Sequence, residues 1–311
     1  MTPKLFTPGP VHVREEILAE MARPPIVHRR EEMHALMAAL LPGLRNVFGA
    51  GEGDAVFVVT ASGTGLLEAA VLGAVPPGGS VLHLICGHFG ERWLDISAAH
   101  GREAVPLRVD WGWGIPAERV ERALKEGRYD AVALTHNETS TGVLNPLEEI
   151  ASVVARFEGV LFLVDAVSSL GGVPVDFARN RLDLCFAGTQ KCLALPPGLA
   201  VACASERFLA RARGNPGRGF YFDLTKYVSA AENLEPAFTP STAHLFALRR
   251  QLEDIGRETL EARWARHRAM MERVHAWLEA GGAGGAGEAG GGAGESGLSI
   301  LAEPAYRSPT V

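Results

Sequence analysis

Residues 161–198 read LFLVDAVSSLGGVPVDFARNRLDLCFAGTQKCLALPPG. The stretch opens on an apolar run ending in an acid, Leu161-Phe162-Leu163-Val164-Asp165, the pattern of a buried strand that delivers a carboxylate at its C-terminal end. A second apolar run, residues 182–187, ends in Gly188-Thr189-Gln190-Lys191. Two strand ends thus present an acid and an amine, with a Gly-rich turn between them. Burying either charge alone is costly, so the pair suggests a shared partner of complementary charge. Pyridoxal phosphate is such a partner. A lysine amine condenses with its aldehyde as a Schiff base, and an Asp opposite the ring nitrogen keeps that nitrogen protonated, so that the ring can accept electrons. The plain alternative is an acid ending one strand and a lysine on an unrelated surface loop, and the other parts of the chain must decide.

Towards the N-terminus, residues 55–60 (AVFVVT) predict a strand running into Ala61-Ser62-Gly63-Thr64-Gly65 and an apolar helical run over 66–75. Strand, small-residue turn and helix gather free backbone N–H groups and the positive end of a helix dipole around one point, which suits a phosphate. The turn has neither the Gly-Lys-Ser/Thr of a P-loop nor the spaced glycines of a dinucleotide fingerprint, so nucleotide binding ranks lower, while a purely structural turn stays open. Residues 80–85 predict the next strand, which ends in Cys86-Gly87-His88-Phe89-Gly90 before a helical segment over 91–99. Phe89 is placed to lie flat against a ring, although a lone aromatic is more often core. A short strand over 105–110 and a helix opened by Pro116 follow.

Residues 131–136 predict a strand ending in the hydroxyl-rich loop Asn137-Glu138-Thr139-Ser140-Thr141-Gly142. Asn145 as N-cap with Pro146 at the first helical position then starts a helix expected to reach residue 158. The alternation of strand and helix over 55–205 predicts a mostly parallel sheet covered on both faces, in which ligands gather at strand C-termini. Ser62, Phe89, Thr139, Asp165 and Lys191 all fall at the ends of predicted strands. Unrelated loops do not explain that coincidence.

A chain of 311 residues has two domains as its natural prior, and 47% hydrophobic with 21% charged residues is ordinary for a globular protein. The net charge of −6 argues against a nucleic-acid footprint. An arginine tract over 249–273 is interleaved with Glu253, Glu258, Glu261 and Glu272 and predicts a solvated helix face. Residues 31–48 carry Met33, Leu36, Met37, Leu40, Leu44 and Val47 at helical spacing, a core stripe. Four cysteines without a Cys-x-x-Cys pair predict reduced core thiols and hence a cytoplasmic setting. No run approaches a membrane span, and ten scattered histidines show no ligand-like spacing, so neither membrane nor metal is expected.

Thr139-Ser140-Thr141-Gly142, Val164-Asp165-Ala166-Val167-Ser168-Ser169-Leu170-Gly171-Gly172 and Thr189-Gln190-Lys191 with Pro196-Pro197-Gly198 resemble the class V, fold-type I pyridoxal-phosphate aminotransferases of the serine–pyruvate and alanine–glyoxylate group. The resemblance runs, with gaps, from Thr7-Pro8-Gly9-Pro10 to Tyr306-Arg307-Ser308-Pro309-Thr310-Val311. It implies an α/β fold with a mostly parallel central sheet and a smaller C-terminal domain. It also implies Lys191 as the Schiff-base lysine, Asp165 as the pyridinium partner, and Phe89 and Val167 on the two ring faces. Thr139 falls near the phenolic oxygen, with Ser62, Gly63, Thr64 and Gln190 in the phosphate cup. Thr239 matches a threonine that reaches the phosphate from a neighbouring subunit, which implies a homodimer.

The implied reaction is transamination between a small amino acid (serine, alanine or aspartate) and a 2-oxo acid (glyoxylate or pyruvate). Rival expectations are a desulfurase or lyase of the same fold, or a cofactor-binding protein without turnover. The desulfurase pattern has a histidine on the ring and a His-Lys pair, where this chain has Phe89 and Gln190-Lys191. Two departures from the family stand out: Pro236 where some members carry a tyrosine, and the Gly/Ala-rich stretch 281–297, expected to be a flexible linker. The arginine that clamps the substrate carboxylate is expected beyond Val311. The expected domains are an N-terminal segment, 1–16, packing with the small domain, a large cofactor domain over 17–257, and an incomplete small domain over 258–311.

Overall fold

The computed structural model describes residues 5–280 and 299–311, so the stretch 281–297 lies outside the described residues. Helices α1 (Glu15–Met21) and α2 (Glu31–Phe48) lead into β1 (Ala55–Val59), α3 (Gly63–Ala74), β2 (Ser80–Ile85), α4 (His88–Ala99) and β3 (Glu103–Arg108). There follow α5 (Ala117–Glu126), β4 (Ala131–Thr135), the short pair β5 (Asn137–Glu138) and β6 (Val143–Leu144), α6 (Leu147–Val154), β7 (Leu161–Asp165), β8 (Leu184–Gly188) and β9 (Ala200–Ala204). Helices α7 (Glu206–Gly214), α8 (Leu224–Glu232), α9 (Thr242–Glu258) and α10 (Leu260–Glu279) complete the order.

The large sheet has the order β1-β9-β8-β7-β4-β2-β3. β3, β2, β4, β7 and β8 pair in parallel, and β9 runs antiparallel to both of its neighbours. Every strand except β9 therefore points the same way, and the C-terminal ends of β1, β2, β4, β7 and β8 share one edge. β2, β4, β7, β8 and β9 are buried along their whole length, which explains why they read as mainly apolar runs, interrupted in β2 by His83, rather than as alternating ones. One face packs against α3, α4, α7 and α8 around Phe57, Trp93, Phe186 and Phe208. The other packs against α2, α5, α6 and α9 around Phe48, Phe162 and Phe177. Full burial of each such side chain is worth about 1.5–3 kcal/mol, so this double cover is what fixes the strand ends in place.

Several local expectations shift. α4 starts at His88 rather than residue 91, which puts Phe89 in its first turn. β3 lies two residues earlier than expected, and α6 ends at Val154. Asn145 does not cap α6: its Oδ1 accepts from Ile115 N at 2.9 Å, while its Nδ2 donates to Thr135 O at 2.8 Å and Cys86 Sγ at 3.2 Å. A cap-forming residue was recruited inward because the buried backbone around β4 needed partners more than an exposed helix start did. The arginine tract is solvated with one exception, Arg263, 7% exposed, which donates to Gly171 O at 3.1 Å and Cys192 O at 2.6 Å and pairs with Glu258 at 2.8 Å. Residues 304–311 form no regular strand. A 3-10 turn, Pro304–Tyr306, and a single bridge between Arg307 and Val143 dock this segment on the β5–β6 loop, with Ser308 N donating to Gly142 O at 2.9 Å.

Candidate active site

The shared strand edge opens into a cavity of about 200 Å³ lined by Ser62, Gly63, Thr64, Phe89, Thr139, Asp165, Val167, Gln190 and Lys191, every expected site residue except Thr239. Thr239 is exposed, between α8 and α9, and does not line its own chain's cavity. Convergence follows from topology: β1, β2, β4, β7 and β8 deliver their following loops to one edge. α3 begins at Gly63, and the side chain of Ser62, in the N-cap position, makes no capping hydrogen bond, so its hydroxyl stays free at a helix start. Glycine is required at position 63, because a Cβ there would lie 2.7 Å from Val167 Cγ2.

Asp165, the last residue of β7, is 4% exposed, and its Oδ1 accepts from Val167 N at 2.8 Å. Burial pushes its carboxyl up to about 7, with the Glu138 charge adding to the rise and the Val167 N–H, Lys191 and Arg92 opposing it. Lys191 is half-buried after β8, and its Nζ donates to Pro8 O at 3.1 Å. Burial lowers its pKa, against the pull of Cys192 and Asp165, so that a larger fraction is the free amine. The N-terminal segment closes over this lysine: Val11 N donates to Gln190 O at 3.1 Å, and Gly9 sits at φ 148° where a Cβ would collide with the lysine side chain. Thr139 Oγ1 and Ser168 Oγ share a hydrogen bond of 2.6 Å.

The sequence reading missed several residues here. Glu138 is fully buried. Its Oε2 accepts from Phe89 N at 3.0 Å and Gly90 N at 3.2 Å, while its Oε1 accepts from Ser140 N at 3.1 Å and Ser140 Oγ at 2.7 Å. It therefore caps α4 from another loop and holds the turn that carries Phe89, with Gly87 packed too close to it for any side chain. Glu138→Ala should lower the unfolding free energy by roughly 3 kcal/mol, because buried donors lose a charged acceptor, and Glu138→Gln should lose less. Denaturant melts of the two variants check this. Asn137 donates to Ser168 O at 3.1 Å and to Thr310 Oγ1 at 2.9 Å, which brings the C-terminal segment into the site. Only proximity in the fold reveals such partners. Arg92, one turn into α4, also lines the cavity.

Pyridoxal phosphate fits these residues. Asp165 is a buried carboxyl that, among the described residues, has no cation in hydrogen-bonding contact, and a protonated ring nitrogen would supply one. Gln190 Oε1, Asn137 Oδ1 and Thr135 Oγ1 are buried on the same lining without hydrogen-bond partners. The four cysteines are all buried and unbridged, and among the described residues no cluster of side chains could hold a metal ion. No helix among them is long and apolar enough to cross a membrane.

Comparison with known proteins agrees with this geometry. The class V aminotransferase family matches residues 14–283. An uncharacterized aminotransferase of Methanocaldococcus jannaschii is 39% identical over 283 residues, which cover 89% of this chain and 72% of that one. The serine–glyoxylate aminotransferase of Methylorubrum extorquens is 32% identical over 287 residues, 89% of this chain and 71% of its own length. Among solved structures, an alanine–glyoxylate aminotransferase from Nostoc sp. superposes with a TM-score of 0.89 at 30% identity, covering 99% of this chain and 79% of that one. With the sheet order, the strand-edge lysine and acid and these likenesses all in agreement, the chain belongs to the class V aminotransferases, of the fold-type I architecture.

Proposed function

We propose that the protein is a pyridoxal 5'-phosphate-dependent aminotransferase moving an amino group from a small amino acid (serine, alanine or aspartate) to a 2-oxo acid (glyoxylate or pyruvate). The observation that carries this reading is the meeting of the Lys191 amine, the buried Asp165 carboxyl and the start of α3 on one cavity. Ser62, Gly63, Thr64 and Gln190 would hold the phosphate, Phe89 and Val167 would border the ring, and Thr139 would face the phenolic oxygen. The bound cofactor would supply an aldehyde that condenses with amines and a cationic ring that draws electrons away from the substrate Cα. Asp165, ionised, keeps that ring cationic. Lys191, whose amine burial holds below the usual lysine range, would be the base that takes and gives back the proton at the substrate Cα side of the cavity. The Ser168 hydroxyl fixes the orientation of Thr139.

A homodimer belongs to the same reading, since Thr239 lies outside its own chain's cavity, as a residue donated to a second copy must. Nearby, Phe220 is 72% exposed, and Tyr221 stacks on Phe238 at 5.0 Å, a surface suited to being covered. The proposed boundary of the large domain near residue 257 falls beside the break between α9 and α10, where Thr259 has φ 67°. Four buried thiols suit a reducing compartment, so we place the protein in the cytoplasm. The test is an assay of each amino donor with glyoxylate and with pyruvate on protein saturated with pyridoxal phosphate. Donor-dependent formation of the matching 2-oxo acid is expected. Cofactor bound with no keto acid from any pair would sink the transaminase reading.

A further inference from the structure

We propose that Arg92 is the cation that neutralises the cofactor phosphate at the start of α3, an inference that rests on the cofactor reading above. The guanidinium bridges the two halves of the cavity. Its Nη1 lies 3.5 Å from Thr64 Oγ1, in the first turn of α3, and its Cζ lies 4.8 Å from the centre of the Phe89 ring. Its remaining contact is His88 Nε2, 3.2 Å from Nη2. Among the described residues a hydroxyl, an aromatic face and an imidazole are its partners, and none is an anion.

Charge balance makes the case. A phosphate ester carries about 1.5 to 2 negative charges at neutral pH, and a helix start offers only about half a positive charge in return. Ser62, Thr64 and Gln190 are neutral hydrogen-bonding groups. Among the described residues, the cations on the cavity lining are Lys191 and Arg92. Lys191 is committed to the aldehyde end of the cofactor, beside Asp165, so it does not serve the phosphate. Arg92 is left beside Thr64, with a planar fork of donors that matches two phosphate oxygens at once. Its position on α4 is held by Glu138, through the capped turn at Phe89 and Gly90. The same buried carboxylate thus sets both the aromatic platform and the arginine one turn later.

The alternative is that Arg92 acts only on Phe89, steadying the ring from its face. The phosphate itself separates the two roles. Wild type, Arg92→Gln and Arg92→Lys are stripped of cofactor with hydroxylamine and dialysed, then titrated with pyridoxal 5'-phosphate and, separately, with pyridoxal, following visible absorbance. Arg92→Gln should bind pyridoxal phosphate roughly ten- to a hundredfold more weakly, the loss of a charge-assisted contact, while its affinity for pyridoxal is unchanged. Arg92→Lys should recover part of the loss, and added salt should weaken the wild type more than the Gln variant. Equal losses for both ligands would make Arg92 a support for Phe89 and overturn the proposal. So would unchanged or tighter binding of pyridoxal phosphate. Wild type that fails to bind pyridoxal phosphate takes down the cofactor reading as well, whereas wild type that binds, matched by Arg92→Gln, removes Arg92 alone.

Discussion

Lys191→Ala should leave the purified protein colourless after dialysis while the wild type stays yellow, and should lower transamination by roughly four decades or more. The size of the effect follows from two roles held by one amine. On the proposed function it anchors the cofactor covalently and moves the proton at the substrate Cα. No other lysine lies between residues 161 and 198, so nothing nearby replaces it. Its amine is half-buried, touches the Pro8 carbonyl at 3.1 Å and is held below the usual lysine range by burial, which raises its free-amine fraction. Lys191→Arg keeps the charge but cannot condense with an aldehyde, so it too should be colourless. An alanine variant that stays yellow through dialysis would remove Lys191 from the site.

Asp165→Asn should retain some cofactor and lose roughly three decades of kcat, several kcal/mol of transition-state stabilisation. The amide keeps the acceptor oxygen for Val167 N and nearly the same shape, so the loss is electrostatic: a neutral group cannot hold the ring nitrogen protonated. Turnover within about threefold of wild type would rule out Asp165 as the partner of that nitrogen. The same substitution has an opposite effect on the cofactor-free protein. The folded carboxyl titrates at about 7 against an ordinary 3.8, a raised value. Its stabilising contribution is therefore complete below about pH 4 and is lost as pH rises towards 7, because the unfolded state releases its proton first. Asp165→Asn lacks this penalty, so the cofactor-free variant should gain stability over wild type as pH rises from 4 to 8. Thermal melts across that range measure it, and a difference that does not grow with pH would contradict the burial of an ionising carboxyl at this position.

Much of this protein is legible along the chain. Residues 55–59, 80–85, 131–135 and 161–165 read as buried strands because both faces of the sheet are covered, so most side chains along them are apolar, and a buried exception, His83, bonds Ser97 Oγ at 2.9 Å. Asp165 and Lys191 were visible for the converse reason: a charge at the end of such a run is expensive unless it meets a partner. The class V match was carried by the block around those two residues, and the homologues agree with it. Helix starts are less legible. α4 begins at His88 because Glu138, two strands and a helix further along the chain, accepts from its first-turn N–H groups, and no local capping residue announces that. Asn145 carried a local capping signal that the buried carbonyl of Thr135 overrode.

The element types, the parallel alternation and the Asp165–Lys191 pair proposed to do the chemistry are legible along the chain, since these depend on periodicity and on the cost of burying charge within one segment. Which side chains hold that pair in place depends on contacts made in the folded chain. Glu138 on Phe89, Thr310 and Asn137 on Ser168, Pro8 on Lys191 and Arg92 on Thr64 each join residues far apart in the chain. Hydrogen bonds and ion contacts act over about 3 Å with no regard for sequence separation. Their donors and acceptors leave no period in the chain from which to read them.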